Sequence, residues 1–320
     1  MGFSVAIMRF FGEPITRRQA LGGLLSIAGS TLVGEGLVSR ALAGEPSVYH
    51  PTVSAETYVW IQRLEKEKKT IADGLEEILA GSHEAGYKNV ELSSEFFNPQ
   101  IRSRTIALLK QYDLGMPTVF ASSKLYEPAA AETSIRDIVE FAKSVKPLGV
   151  RAIVTNPQPK PQHQEKTDEE LALQCRSLDE IGKELRKENL NFQIHHHTPE
   201  LVNKAREWRY QLDHTDPKLA LACVDVHWAY RGGQEPLQFI KACGMRLNSL
   251  HLRNSRNGVW MEDFSDGDVD YRPIVAYLRQ IRYRGYLVVE LAYEEGTSAT
   301  RNLIMDLRLS RQYTERIFGV

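Results

Sequence analysis

From Thr57 onward the chain alternates short apolar runs with longer amphipathic stretches. The short runs are Tyr58–Ile61, Asn89–Leu92, Thr118–Ala121, Ala152–Thr155, Phe192–Ile194, Ala220–Val224, Asn248–Leu252 and Tyr286–Glu290. Continuous apolar runs of this length read as strands buried on both faces, the pattern of a parallel sheet. The longer stretches have helical spacing. Ile71, Leu75, Ile78 and Leu79 share one face of a helix over 71–85, and Gly86 is a natural stop. Further helices are predicted near Pro99–Tyr112, Ser134–Val145 and Thr167–Lys187, from Thr198 to about Arg209, and over Pro236–Ala242, Tyr271–Ile281 and Thr300–Ile317. Thr198-Pro199-Glu200 has the form of a helix start, with a capping hydroxyl, proline in the first turn and an acid beside it. Eight strand–helix units within residues 44–320 match one (β/α)8 barrel, an α/β TIM barrel in a single domain. An open doubly wound sheet is the alternative; it more often carries a Gly-rich first turn, and none is present.

Composition narrows the class. Of 320 residues, 42% are hydrophobic and 25% charged, an ordinary globular balance. The net charge of −1 and pI of about 6.8 leave no general basic field to hold nucleic acid or an anionic membrane. Cys175, Cys223 and Cys243 show no CxxC spacing and imply no disulfide framework; Cys223 and Cys243 read as core residues. The first forty-odd residues differ in kind. Arg17-Arg18 precede a glycine-rich, weakly apolar run from Leu21 to Val38, and Ala41-Leu42-Ala43 supplies a small-x-small cleavage pattern. Glu35 and the glycines argue against a spanning helix. The segment resembles a bacterial twin-arginine signal cleaved after Ala43. The resemblance implies passage through the twin-arginine translocon to the periplasm or beyond. No cysteine follows the cleavage site, so no lipid anchor is expected.

Chemistry gathers where the predicted strands end. The second carries Glu91, and the fifth runs into His195-His196-His197, with Glu200 just beyond. The sixth ends in Asp225-Val226-His227-Trp228, the seventh in His251-Leu252-Arg253 and the eighth in Glu290. Strand alternation would put Asp225 and His227 on one side, and likewise His251 and Arg253. In a barrel these groups converge on one mouth. Carboxylate and imidazole donors together suit one divalent metal, whether Mn, Co, Zn, Fe or Mg, and the lack of a thiolate argues against a structural zinc cage. Glu290 closes the apolar run Leu287–Val289, where a carboxylate must be paired or coordinated. Each group also has a plainer reading: Glu91 as an ion-paired strand end, Asp225 as an Asx turn or helix cap, His251 as a satisfied core histidine. Trp60, Trp228 and Arg253 are candidates to contact a substrate, Trp228 as a face for a sugar ring.

These stretches carry a family resemblance over essentially the whole mature chain. His195-His196-His197-Thr198-Pro199-Glu200-Leu201 is similar to a His-Asn-His-x-x-Glu-Phe element of the xylose isomerase-like TIM barrels, the sugar phosphate isomerase/epimerase superfamily. Val224–Trp228 with Gly233 and Pro236 resembles its Asp-x-x-His-Trp…Gly-x-x-Pro stretch. His251-Leu252-Arg253-Asn254 resembles His-Leu-Lys-Asp, and Asp266–Tyr271 the Gly-x-Gly-x-Val-Asp-Phe segment. The resemblance implies a divalent metal held by Asp225, His251 and Glu290, with His195 at the strand-five position where many members have glutamate. Asn254 replaces the usual aspartate.

The expected activity is therefore isomerisation or epimerisation of a sugar or keto-sugar through an ene-diolate-type intermediate. Glu91, His197, Glu200 and His227 are the candidates to move protons. Elimination on a keto-sugar, inosose or 3-keto-glycoside is the alternative, and a non-catalytic sugar-binding barrel a second. A DNA-repair role would need more metal ligands and a basic groove.

Overall fold

The computed structural model describes residues 48–320; the export segment read at residues 1–43 lies outside them. Eight strands run β1 (Thr52–Glu56), β2 (Val90–Ser93), β3 (Thr118–Phe120), β4 (Ala152–Thr155), β5 (Asn191–Ile194), β6 (Leu221–Asp225), β7 (Leu247–Leu252) and β8 (Tyr286–Val289). They close into a parallel barrel in the order β1-β8-β7-β6-β5-β4-β3-β2, which excludes the open sheet. Among the described residues, no helix is long and apolar enough to cross a membrane.

Seven of the eight strands fall on the apolar runs that predict them. The first does not. Tyr58–Ile61 lies in a helix, α1 (Tyr58–Lys66), and β1 is the preceding Thr52–Glu56. Four apolar residues in a row look the same in a strand and on a buried helix. Position in the fold decides here. Trp60 packs outward from the barrel against α2 (Ile71–Glu84), where a Cβ on Gly81 would come within 2.8 Å of the indole. Gly81 is what lets the two helices approach so closely.

Local chemistry sets the other helices. Thr70 and Asp73 form a reciprocal capping box at the start of α2, and Gly86 follows it with φ +91°. Such a cap is worth about 1 kcal/mol. The helices α3 (Arg102–Gln111), α4 (Pro128–Val145) and α5 (Asp168–Lys187) follow, the last opened by a second box of Thr167 and Glu170. Next comes α6 (Thr198–His214), whose helical path breaks at Val202–Ala205. The short α7 (Val226–Arg231) and α8 (Pro236–Ala242) precede α9 (Arg272–Gln280) and α10 (Leu303–Phe318). After β7 a small hairpin pairs Ser255–Arg256 with Val259–Trp260 across an Asn257-Gly258 turn. Both turn residues have positive φ, as a two-residue hairpin turn demands.

Register aims the strand ends at one another. Glu56 pairs with Glu91 across β1–β2, and Asp225 with His251 across β6–β7. The carboxyl ends of all eight strands thus form a single mouth.

Candidate active site

Eight strands of one direction bring their terminal side chains into a buried polar cluster. His195, Asp225, His251 and Glu290 each offer one donor atom, and those atoms all lie within 4.8 Å of one another. His195 Nε2 stands 4.0 Å from both Asp225 Oδ2 and Glu290 Oε2. His251 Nδ1 is 2.6 Å from Glu290 Oε2, and its Nε2 is 3.0 Å from Glu91 Oε1. Glu91, fully buried, therefore sits behind His251, at the ring nitrogen that Glu290 does not approach.

The arrangement fits a divalent cation. Beside Arg253 and His251, three carboxyl groups, Glu91, Asp225 and Glu290, are buried in the cluster. A surplus of buried negative charge needs a positive counterpart. His195 is buried with neither ring nitrogen hydrogen-bonded, which is costly for an imidazole with no further partner. Donor atoms bound at about 2.1 Å to one ion stand roughly 3 to 4 Å apart, close to the spacing found here. Cys223 also approaches His195 and His251, but burial pushes its thiol up to about 11, so it faces them uncharged.

Arg253 spans the carboxylates. Its Nη2 donates to Asp225 Oδ2 and lies 3.1 Å from Glu290 Oε1. Asp225 also accepts the Trp228 N–H at 2.7 Å through Oδ1, so the helix-cap reading holds for that oxygen, while Oδ2 faces the cluster. Burial alone would raise Glu290, but Arg253 and the hydrogen bond from His251 bring it down to about 2. Burial opposes a charge on His251. Cys223, Glu91 and Glu290 overcome it, and the two carboxylates carry that effect because the thiol is neutral. Burial, then the charge of His251, holds His195 well below the ordinary histidine value, in the form that coordinates a metal.

Above the cluster opens a cleft of about 440 Å³, large enough for a monosaccharide-sized ligand. Its lining includes Glu56, Phe120, His197, Trp228, Arg253 and Trp260. His197 is held by burial at about 4 and is a neutral base at physiological pH. Glu56, at the end of β1, is pushed well above the usual carboxylate range by burial and by Glu290 and Glu91. Its Oε2 accepts the Tyr58 N–H at 2.5 Å.

The remaining predicted site residues lie elsewhere. Trp60 is 1% exposed in the α1–α2 interface and does not reach the cleft. Glu200 is buried at the start of α6, where its carboxylate accepts the His197 N–H at 2.8 Å. Alternation does not place His227 beside Asp225, because α7 begins at Val226 and ends the strand. Both its ring nitrogens are engaged, with Ser255 Oγ at 2.8 Å and Trp260 Nε1 at 3.0 Å, and it does not line the cleft. Asn254 gives both side-chain ends to backbone groups of the Ser265–Val269 loop and of Ser255, and so shapes the loop.

Glu56 and Trp260 are among the cleft residues that the sequence reading missed. Glu56 was hidden by the misplaced first strand. Its signal was the alternation of Val53 and Ala55 with Ser54 and Glu56, in place of a solid apolar run. Trp260 was announced by Asn257-Gly258, a strong short-range hairpin signal that places an aromatic beside the mouth.

Comparison with known proteins agrees with this architecture. The family described as xylose isomerase-like TIM barrel matches residues 61–312. The inosose dehydratase of Geobacillus kaustophilus (strain HTA426) is 22% identical over 274 residues, which cover 76% of this chain and 87% of that protein. The rhizopine catabolism protein MocC of Rhizobium meliloti is 23% identical over 244 residues, 68% of this chain and 74% of its own length. Among solved structures, a D-allulose 3-epimerase from Methylomonas sp. superposes with a TM-score of 0.67 at 17% identity, over 84% of this chain and 98% of that one.

Proposed function

The chain belongs to the xylose isomerase-like TIM barrel family, and on that footing we propose that it is a divalent-metal-dependent isomerase or epimerase of a keto-sugar. One observation carries the reading. Two proton-handling side chains line the same cleft from opposite walls, since β1 with Glu56 and β5 with His197 at its end face each other across the ring of eight strands. Moving a proton between faces or carbons of a keto-sugar needs a base on one side and an acid on the other.

A divalent cation held by His195, Asp225, His251 and Glu290 supplies Lewis-acid polarisation of a carbonyl and its neighbouring hydroxyl. The chain's own groups do the rest. His197, neutral, accepts the proton from the carbon beside the carbonyl. Glu56, protonated, returns one from the opposite wall. Arg253 donates to a substrate oxygen, and Trp228 offers an apolar face to the C–H side of the ring. Phe120 helps to keep water from the exposed carbanion.

Elimination of water from the same ketone is the second reading. Its support is the imidazole at the end of β5 together with the inosose dehydratase relatives. There His197 takes the proton and Glu56 protonates the departing hydroxyl. Mn-loaded protein with D-allulose or scyllo-inosose in D2O, followed by NMR, separates the two. Deuterium at the carbon next to the carbonyl with a new epimer or isomer supports the first. A dehydrated conjugated ketone supports the second, and no exchange with either ketone defeats both.

The twin-arginine-like stretch supports a further proposal, that the barrel is exported. Replacing Arg17 and Arg18 by Lys is expected to hold the protein in the cytoplasm; an unchanged periplasmic level removes the idea.

A further inference from the structure

His227 is buried and carries no contact with the cleft, yet its hydrogen bonds leave no choice of tautomer. An indole N–H only donates, so His227 Nδ1 must accept from Trp260 Nε1 at 3.0 Å. The ring proton then sits on Nε2 and donates to Ser255 Oγ at 2.8 Å. The Ser255 hydroxyl has its own proton left to donate, and it goes to Asp268 Oδ2 at 2.6 Å. Asp268 is anchored in turn by the backbone N–H groups of Asn257 and Gly258, at 3.0 and 2.8 Å. Every donor and acceptor in this chain has one direction.

Its far end is the Trp260 indole. The Arg253 guanidinium carbon lies 4.7 Å from that ring's centroid and 5.2 Å from that of Trp228, while the two indoles meet edge to face at 5.2 Å. The Trp260 backbone N–H donates to Glu294 Oε1 at 2.7 Å, which ties the hairpin to the loop after β8. Arg253 Nε is buried without a hydrogen-bond partner.

We propose that His227 is a positioning residue: with Asp268 and Ser255 it fixes Trp260, whose indole sets the Arg253 guanidinium for substrate recognition. The specificity of the cleft then depends on three groups that do not line it. The substrate half of this inference rests on the keto-sugar reading; the placement of Trp260 does not.

The experiment compares wild type with His227→Ala, His227→Gln and Asp268→Asn, each with and without Trp260→Phe, so that the difference reports Trp260 alone. Acrylamide quenching of tryptophan emission reads its exposure. Calorimetry with D-allulose and scyllo-inosose on Mn-loaded protein reads recognition. In His227→Ala, Trp260 quenching is expected to rise at least twofold and sugar affinity to fall about tenfold, with metal content unchanged. Glutamine, which can both accept and donate, should restore both readouts, and Asp268→Asn should move them the same way by less. In an Arg253→Met background the His227→Ala effect on affinity should vanish, the signature of two residues acting as one unit. Unchanged Trp260 quenching in both His227→Ala and Asp268→Asn overturns the proposal, as does an affinity loss that persists in full without Arg253. If neither sugar binds wild type, the keto-sugar reading fails, while quenching still decides whether His227 places Trp260.

Discussion

The segments after β5 and β6 both join histidine to a metal-type ligand, and the fold uses them in opposite ways. After β5 the backbone stays extended for three residues before α6 starts at Thr198. His195 turns into the cluster with Asp225, His251 and Glu290, His196 outward against Trp208 and Phe239 at 4.6 and 5.2 Å, and His197 back towards the cleft. After β6 the helix starts at once. Asp225 is both the last strand residue and the cap of α7, so His227 lies on a helix and faces the hairpin. Where the helix begins, not the type of residue, decides which neighbour enters the site.

The largest expected effect comes from removing the inward-facing residues. Asp225→Asn and His251→Ala should each lower metal affinity by more than about 100-fold, beyond what loss of an outer-sphere partner costs, with circular dichroism unchanged. Full metal content by elemental analysis in either variant would take that residue out of the cluster.

Next is the second histidine that faces the cleft. His197→Ala should keep its metal and lose about 10²- to 10⁴-fold in kcat/KM, the range for a general acid or base. A variant of wild-type rate would leave the β5 wall without a proton carrier.

His196 is the contrast. It is fully buried and neither ring nitrogen has a partner. His196→Leu should change stability by less than about 1.5 kcal/mol in urea denaturation and leave metal content untouched. Loss of metal in this variant would mean that the three imidazoles act together after all.

A pH-dependent effect belongs to Glu200, which caps the end of the β5 segment. Burial, with the Glu207 charge adding to it, raises its carboxyl to about 7, above an unfolded value near 4.5. A raised carboxyl favours the fold while protonated. That stability is complete below about pH 4.5, is lost between pH 4.5 and 7, and above that the deficit levels off at roughly 3 kcal/mol at most. Glu200→Gln still accepts the His197 N–H and does not ionise. Its melting temperature should therefore gain on wild type as pH rises from 5 to 8. Parallel curves would show that Glu200 is not the group responsible.

Much of this was legible in residue order. Seven strands sit on the predicted runs, and Pro236–Ala242 is a helix with the predicted bounds. His195, Asp225, His251 and Glu290 converge as expected. Trp60 was misjudged because a short apolar run has no period to tell a strand from a buried helix, and Glu56 was lost with it. His227 was misjudged because strand alternation was carried past a helix start that leaves little mark in the sequence.

Periodicity and strand-end chemistry were enough to read the barrel class, seven of its eight strands and a set of carboxylate and imidazole groups at the strand ends, because these are local properties of the chain. Facing was not local. The closing of the barrel set Glu56 against His197, put Glu91 behind His251 and turned His227 towards Trp260. Each of these pairings joins residues far apart in sequence, and barrel closure with its register is what brings them together.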